Sequence, residues 1–150
     1  MHFDLLLIED NPGDVALTRY AVTECGLDCQ LHVASAGPEA VAFLTSAHGL
    51  NVALILMDWH LPLDTGPNVL TCIRTLPTLV AVTPVVVFSS SLRPEDVRAA
   101  YNQGANCWVS KGNNLEEFAQ AFAGIVRFWL QHDYVATVPR FDRPPLWLLA

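Results

Sequence analysis

The chain has 150 residues, and its 15 acidic residues outnumber its 8 basic ones, for a formal net charge of -7. That length suits one ordinary domain with a full hydrophobic core. The acidic balance and the scattered basic residues argue against direct binding of nucleic acid. The apolar runs are too short to cross a bilayer, and the amino terminus lacks a signal-peptide pattern. We therefore expect a cytoplasmic protein that does not enter a membrane.

Short apolar segments alternate with segments of helical periodicity, which is typical of strand–helix units around a parallel sheet. The first, third and fourth apolar segments are almost continuous, as in strands that are covered on both faces. We therefore expect these three strands to be central in a doubly wound α/β fold. The five predicted strands are residues 4–8, 30–34, 53–57, 84–89 and 106–109.

Helix signals fill the gaps between the strands. The first helix is predicted to start near Asp14, a good N-cap residue, and to stop at Gly26. The second has Pro38 in its first turn and is predicted to end at Gly49. The third is expected over about residues 66–75.

The last two predicted helices differ in character. The fourth begins at Pro94 and stops at Gly104. The fifth covers about residues 115–132, and its apolar face is wider than one core needs. This surplus suggests that the helix also contacts another protein chain. Its main apolar stripe consists of Leu115, Phe118, Phe122, Ile125 and Trp129.

The periodic pattern breaks after Tyr134, so we expect the domain to span residues 1–134. The remaining residues, 135–150, contain three prolines and end in the apolar segment Leu146–Ala150. They are expected to form an extended tail, which is either a disordered end or an apolar arm that docks on its own domain or on a partner.

The four cysteines, Cys25, Cys29, Cys72 and Cys107, have no paired C-x-x-C spacing and no matching histidines. Zinc sites and disulfide frameworks usually show such spacing. We therefore expect buried free thiols.

Acidic residues follow two of the predicted central strands. Glu9 and Asp10 follow the first strand, and Asp58 follows the third. In a parallel sheet these positions meet at the carboxyl edge, where α/β sheets bind ligands. Three close carboxylates repel one another unless a cation neutralises them, and hard oxygen ligands suit Mg²⁺. Solvated acids at strand ends are the alternative, which this triplet alone leaves open.

Two further residues lie at strand ends in the same predicted sheet. Ser89 closes the fourth strand, and Lys111 follows the fifth. A metal ion, an ammonium group and a hydroxyl around one carboxylate are what phosphoryl transfer to an aspartate requires. Alone, Ser89 could be a simple strand-terminal hydroxyl and Lys111 a surface lysine, but together with the acids they indicate a site for phosphoryl chemistry.

From about Leu5 to Trp129 the sequence resembles the receiver domains of two-component response regulators. The resemblance implies a flavodoxin-like, five-stranded parallel sheet with strand order 2-1-3-4-5, followed here by a C-terminal extension. The motifs that carry it are Glu9-Asp10, Asp58-Trp59-His60-Leu61-Pro62 with Gly66, the strand Pro84–Ser89, and Gly104-Ala105 ahead of Trp108 and Lys111.

The resemblance also implies a role for each site residue. Asp58 would accept a phosphoryl group from a partner histidine kinase. Mg²⁺, or Mn²⁺ in its place, would be held by Asp10, Asp58 and the backbone carbonyl of His60. Glu9 would act on the metal through a water molecule. Lys111 would pair with the phosphoryl group.

The resemblance implies a switch as well. Ser89 would move to hydrogen-bond the phosphoryl group, and Trp108 would turn inward and reshape the surface of the fourth helix, fifth strand and fifth helix. His60 and Ser91 would flank the route of a hydrolytic water and so tune the lifetime of the phosphoryl group. Gly112 departs from the family pattern, because a proline commonly follows the lysine, so no cis peptide is expected there.

The apolar fifth helix and short tail make the chain similar to stand-alone regulators paired with bacterial phytochrome kinases. This narrower resemblance implies a bacteriophytochrome as the kinase. It leaves a downstream protein or a histidine phosphotransfer domain as the recipient of the signal. We expect a homodimer through the fourth helix, fifth strand, fifth helix and tail.

Three other classes of function share some of these sequence features. A Mg²⁺-dependent phosphohydrolase of the haloacid dehalogenase type needs a second aspartate two residues after the first, where this chain has His60. A dinucleotide-binding domain needs a glycine-rich loop after the first strand, and Asn11-Pro12-Gly13 offers one glycine. A phosphorylation-independent binding module is opposed only by the complete set of acids and the lysine.

Overall fold

The computed structural model describes residues 2–62 and 65–130, except for the side chain of Thr78. Five parallel strands form one sheet in the order β2-β1-β3-β4-β5. This order confirms the predicted doubly wound fold, with β1, β3 and β4 in the centre. The strands are β1 (Phe3–Ile8), β2 (Cys29–Ala34), β3 (Val52–Met57), β4 (Val85–Ser89) and β5 (Cys107–Ser110).

Within the described residues, six helices lie against the two faces of the sheet. The helices α1 and α6 pack on one face, and α2, α3 and α5 pack on the other. The helices are α1 (Pro12–Glu24), α2 (Gly37–Thr45), α3 (Gly66–Arg74), α4 (Thr78–Ala81), α5 (Pro94–Asn102) and α6 (Leu115–Trp129). None of the described helices is long and apolar enough to span a membrane.

The central strands divide their side chains between two cores. Along β1, Leu5 and Leu7 face the core under α1 and α6, whereas Leu6 and Ile8 face the core under α2, α3 and α5. Alternation of this kind is the two-residue period of a strand. Burial on both sides explains why the sequence of β1 is continuously apolar.

The start of α1 differs from the prediction. Asn11, not Asp14, is the N-cap: its Oδ1 accepts hydrogen bonds from the backbone N–H of Gly13 at 2.8 Å and of Asp14 at 3.3 Å. Pro12 then occupies the first helical position, where its missing N–H costs nothing. Asp14 therefore lies inside the first turn, and its carboxylate is free for another contact.

Two other boundaries were also wrong or missed. The second helix ends at Thr45, and Gly49 instead begins a 3-10 turn, Gly49–Asn51. A Cβ at Gly49 would overlap the backbone of Leu44, so the glycine allows a close approach of two backbones. The short helix α4 was not predicted, because four residues are too few to display a helical period.

The helix α6 packs more deeply than its sequence indicated. Its apolar side chains join a single core with α1 and the sheet, and Leu115 is left 47% exposed. The expectation that this face is too wide for one core was therefore wrong for most of the helix. Residues 131–132, predicted to continue it, and the tail at 135–150 lie outside the described residues. The buried residues are Phe118, Phe122, Ile125, Val126, Trp129 and Leu130.

All four cysteines are free thiols, as expected. Their burial was only partly predicted: Cys107 is buried, Cys25 and Cys29 are half-buried, and Cys72 is exposed on α3. Burial raises the pKa of the Cys29 thiol to about 11, with smaller contributions from Asp4 and Asp28. This thiol is therefore protonated at neutral pH, and low reactivity is expected of it.

Two glycines offer a matched test of the packing beside the sheet edge. A Cβ at Gly66 would lie 2.5 Å from the Trp59 ring, whereas a Cβ at Gly124 would meet nothing within 4 Å. We expect Gly66→Ala to lower the free energy of unfolding by about 1–3 kcal/mol, because it overpacks a filled site. We expect Gly124→Ala, in the middle of α6, to raise it by about 0.5–1 kcal/mol. Urea unfolding measures both, and equal effects would contradict the packing described for Trp59.

Candidate functional site

The carboxyl edge of the sheet gathers the three predicted acids. Glu9 and Asp10 follow β1, and Asp58 follows the adjacent strand β3, with its N–H donating to the Ile8 carbonyl at 2.9 Å. One carboxylate oxygen from each of Glu9, Asp10 and Asp58 lies within 4.8 Å of the others. Oxygen ligands at this spacing suit a hard divalent cation.

Lys111 reaches the same cluster from β5. Its backbone N–H donates to the Ser89 carbonyl at 3.0 Å, which brings the ends of β4 and β5 together. Its Nζ lies 2.6 Å from Glu9 Oε2 and 3.5 Å from Asp58 Oδ1. The Lys111 side chain is 8% exposed and that of Glu9 is 2% exposed, so the ion pair is shielded from water.

Asp14 is a fourth carboxylate in the site, and sequence reasoning did not assign it there. Its Oδ2 accepts a hydrogen bond from Lys111 Nζ at 2.8 Å. The available signal was position: Asp14 comes four residues after Asp10, in the first turn of a helix that begins at the site. Because Asp14 was predicted to be the N-cap, its contact with Lys111 was not predicted.

The electrostatics follow from burial and from these contacts. Burial raises the pKa of the Glu9 carboxyl above its usual value, and hydrogen bonds from Lys111 and from the Asn11 N–H reverse only part of this effect. Burial also opposes the charged form of Lys111, but its hydrogen bonds to Asp14 and Glu9 and the charge of Asp58 hold its pKa above the usual value. The lysine is therefore a cation at neutral pH.

Ser89 and Trp108 are joined through one residue of the loop after β4. The N–H of Ser91 donates to Ser89 Oγ at 3.2 Å, and the Ser91 carbonyl accepts from Trp108 Nε1 at 3.2 Å. Trp108 is buried, and its ring centroid lies 5.4 Å from that of Trp59, the residue after Asp58. In this structure Trp108 thus already points inward.

His60 comes two residues after Asp58, and its side chain is exposed. Its Nε2 is 3.9 Å from Asp96 Oδ2, and Asp96 Oδ2 also accepts a hydrogen bond from Ser91 Oγ at 3.1 Å. The side chains of His60 and Ser91 therefore meet at one carboxylate from α5. The family resemblance assigned His60 and Ser91 to the route of a hydrolytic water but implied no role for Asp96.

Loop geometry after Lys111 agrees with the expectation drawn from Gly112. The described residues contain no cis peptide bond, and Gly112 has a φ of 75°. A side chain is unfavourable at this φ, and a Cβ there would also lie 2.5 Å from Glu117 Cβ. Glycine thus permits the turn that leads from Lys111 into α6.

Comparison with known proteins identifies the family. A family model described as the response regulator receiver domain matches residues 5–123. The chain belongs to this family. It is 34% identical over 131 residues to the response regulator Rcp1 of Synechocystis sp., covering 85% of this chain and 88% of Rcp1.

Solved structures of receiver domains agree with this assignment. The phosphorylated cyanobacterial phytochrome response regulator RcpA is 34% identical, with a TM-score of 0.79 over 87% of this chain and 95% of RcpA. The Mn²⁺-bound form of Rcp1 is 31% identical, with a TM-score of 0.75 over 93% of this chain and 99% of that structure. Family membership confirms the resemblance drawn from the motifs.

Removal of Lys111 tests how far the stability of the receiver domain depends on the lysine ammonium. We expect Lys111→Met in metal-free buffer to lower the free energy of unfolding by about 3 kcal/mol, because it leaves buried carboxylates without a counter-charge. The matched control is Arg93→Met, whose side chain is 71% exposed and lies 3.9 Å from Glu95. We expect a loss below about 0.5 kcal/mol there. Denaturant unfolding of both variants measures the difference, and similar losses would contradict a buried, shared cation.

Proposed function

We propose that Asp58 accepts a phosphoryl group from a partner histidine kinase, and that the chain acts as a single-domain response regulator. The observation that carries this proposal is the surroundings of Asp58. Its carboxylate lies beside two other acids within 4.8 Å and 3.5 Å from the Lys111 ammonium. An aspartate that lies beside both an acidic cluster suited to a cation and a lysine ammonium suits nucleophilic attack on phosphorus.

In the proposed reaction, a carboxylate oxygen of Asp58 attacks the phosphorus and forms an acyl phosphate. The bond from phosphorus to the donor breaks, and the donor leaves with that electron pair. Lys111 offers an ammonium to the phosphoryl oxygens, and Ser89 offers a hydroxyl from the end of β4. Both groups stabilise negative charge that is spread over the equatorial oxygens.

A divalent cation fits the acidic cluster. Mg²⁺, with Mn²⁺ as an alternative, would be held by Asp10, Asp58 and the His60 backbone carbonyl, with Glu9 acting through a water molecule. The carboxylate oxygens of this cluster are the hard ligands that such ions prefer. When bound, the ion would neutralise charge on the phosphoryl oxygens.

We propose that the message leaves the site through Ser89 and Trp108. A Ser89 hydroxyl that turns toward the phosphoryl group gives up its hydrogen bond from the Ser91 N–H. The same residue, Ser91, holds Trp108 through its carbonyl. Movement of Ser89 therefore releases a constraint on Trp108 and on the neighbouring surface of α5, β5 and α6.

The protein is proposed to be a phosphoacceptor with slow self-dephosphorylation, rather than an enzyme for an external substrate. In that slow step a water oxygen attacks phosphorus, the bond to Asp58 breaks, and inorganic phosphate leaves. His60 and Ser91 come two residues after Asp58 and Ser89, and the Asp96 carboxylate lies near both side chains. We propose that these side chains orient or block that water.

The partner is proposed to be a kinase of the phytochrome type in the cytoplasm. Support comes from the similarity to RcpA, which is named a phytochrome response regulator, at 34% identity. We further propose that residues 1–134 form the receiver domain, with 135–150 as a docking arm. The signal would pass to a downstream protein or a histidine phosphotransfer domain, and neither nucleic acid nor a membrane surface is a proposed target.

The acceptor assignment has a direct test. Wild-type protein incubated with acetyl phosphate and Mg²⁺ should gain one phosphoryl group by intact-mass measurement, and chelation of the metal should prevent the gain. Asp58→Asn should not be labelled, because an amide is a poor nucleophile for phosphorus. Asp28→Asn removes the same charge at the opposite edge of the sheet, and it should label like the wild type. Equal labelling of Asp58→Asn would refute the central assignment.

We also propose a homodimer through α5, β5, α6 and the tail. Apolar residues on or next to these elements support it: Leu115 on α6 is 47% exposed, Phe128 on α6 is half-buried, and Leu92 is exposed in the loop before α5. Because the core buries most apolar side chains of α6, these few residues form the apolar surface that supports a dimer.

Light scattering over a dilution series tests the dimer. The wild type should have about twice the 16.5 kDa monomer mass at high concentration and should approach one monomer on dilution. Leu115→Glu should be monomeric throughout, because it buries a charge in the proposed interface. Leu79→Glu is the control, since Leu79 is 72% exposed on α4, outside the proposed interface. A monomeric wild type at every concentration would exclude the dimer.

A further inference from the structure

The partners of Lys111 are unequal in distance. Its Nζ lies 2.6 Å from Glu9 and 2.8 Å from Asp14, but 3.5 Å from Asp58. Only the first two distances are those of hydrogen bonds. The ammonium therefore donates two of its three N–H groups to Glu9 and Asp14. Asp58, the proposed phosphoryl acceptor, is the most distant of the three carboxylates.

Asp14 is held at this distance by the start of α1. The Asn11 side chain caps the helix and accepts from the Asp14 N–H, while the Asp14 carbonyl accepts from Thr18 Oγ at 2.8 Å. An acid in the first turn also interacts favourably with the helix dipole. The helix dipole does not explain why the Asp14 carboxylate contacts one particular side chain, that of Lys111.

We propose that Asp14 is a positioning residue that retains Lys111 in the unphosphorylated protein and competes with the phosphoryl group for its ammonium. This inference rests on the proposed phosphorylation of Asp58. When a phosphoryl group forms there, Lys111 must redistribute its hydrogen bonds toward it. The pull of Asp14 on the same ammonium opposes that redistribution, so Asp14 weakens the phosphorylated state relative to the resting one.

The competition predicts the effect of removing the Asp14 charge. At saturating Mg²⁺, Asp14→Asn should bind beryllofluoride, an analogue of the phosphoryl group, roughly tenfold more tightly than the wild type. Asp14→Glu keeps a carboxylate at this helix position and should return the affinity toward the wild-type value. Calorimetric titration measures all three affinities, and thermal unfolding checks that each variant is folded.

A general effect of charge on anion binding needs its own controls. Glu116→Gln removes the same charge at the start of α6, also at the carboxyl edge and without a contact to Lys111. It should leave the beryllofluoride affinity within about twofold of the wild type, because an exposed charge is screened by salt. In a Lys111→Gln background, Asp14→Asn should have no effect on affinity, since the competed ammonium is gone.

The outcomes separate this inference from the proposed function. If acetyl phosphate labels the wild type, but Asp14→Asn binds beryllofluoride no more tightly, the role of Asp14 is wrong and the acceptor assignment stands. A gain of equal size in Glu116→Gln, or one that persists in the Lys111→Gln background, would also overturn it. A wild type that is neither labelled nor binds the analogue would overturn both proposals.

Discussion

The site depends on a single buried ammonium. Lys111 is 8% exposed, yet it joins the end of β5 to Glu9 after β1 and to Asp14 on α1. Carboxylates gathered this closely repel one another, and burial adds to that cost. The lysine offsets both, so the carboxyl edge can hold acids that would otherwise separate. A phosphoryl group on Asp58 would bring more negative charge to the same ammonium. The resting structure and the proposed chemistry therefore depend on the same lysine.

Much of this arrangement could be predicted because the carboxyl ends of parallel strands lie at the same edge of a sheet. Once residues 4–8 and 53–57 are recognised as neighbouring parallel strands, Glu9 and Asp58 must meet at one edge. Asp14 escaped prediction because its position depends on where α1 begins. Asn11 and Asp14 are both good N-cap residues, and only Pro12, which fits the first helical position, favours Asn11. Because the helix start was predicted three residues too late, an ion-pair partner of Lys111 was missed.

The depth of packing was the other quantity that the sequence left undetermined. Periodicity correctly identified Phe118 and Phe122 as core residues of α6, but it does not say how far the helix sinks between the sheet and α1. Val126 and Leu130 are buried as well, because α1 covers the side of α6 that the sheet does not reach. Such coverage is a property of the assembled layers, so one apolar face can be satisfied inside a single chain.

Two physical connections link Trp108 to residues at the carboxyl edge of the sheet. One is a chain of hydrogen bonds in which Ser91 accepts from Trp108 and donates to Ser89. The other is packing, because Trp59 follows Asp58 directly and contacts the Trp108 ring. Close-packed groups of this kind tend to have few alternative arrangements rather than a continuum. Since both connections end at the same indole, a shift at either one must be accommodated by the ring, and the ring lies on β5, beside the surface proposed to carry the signal.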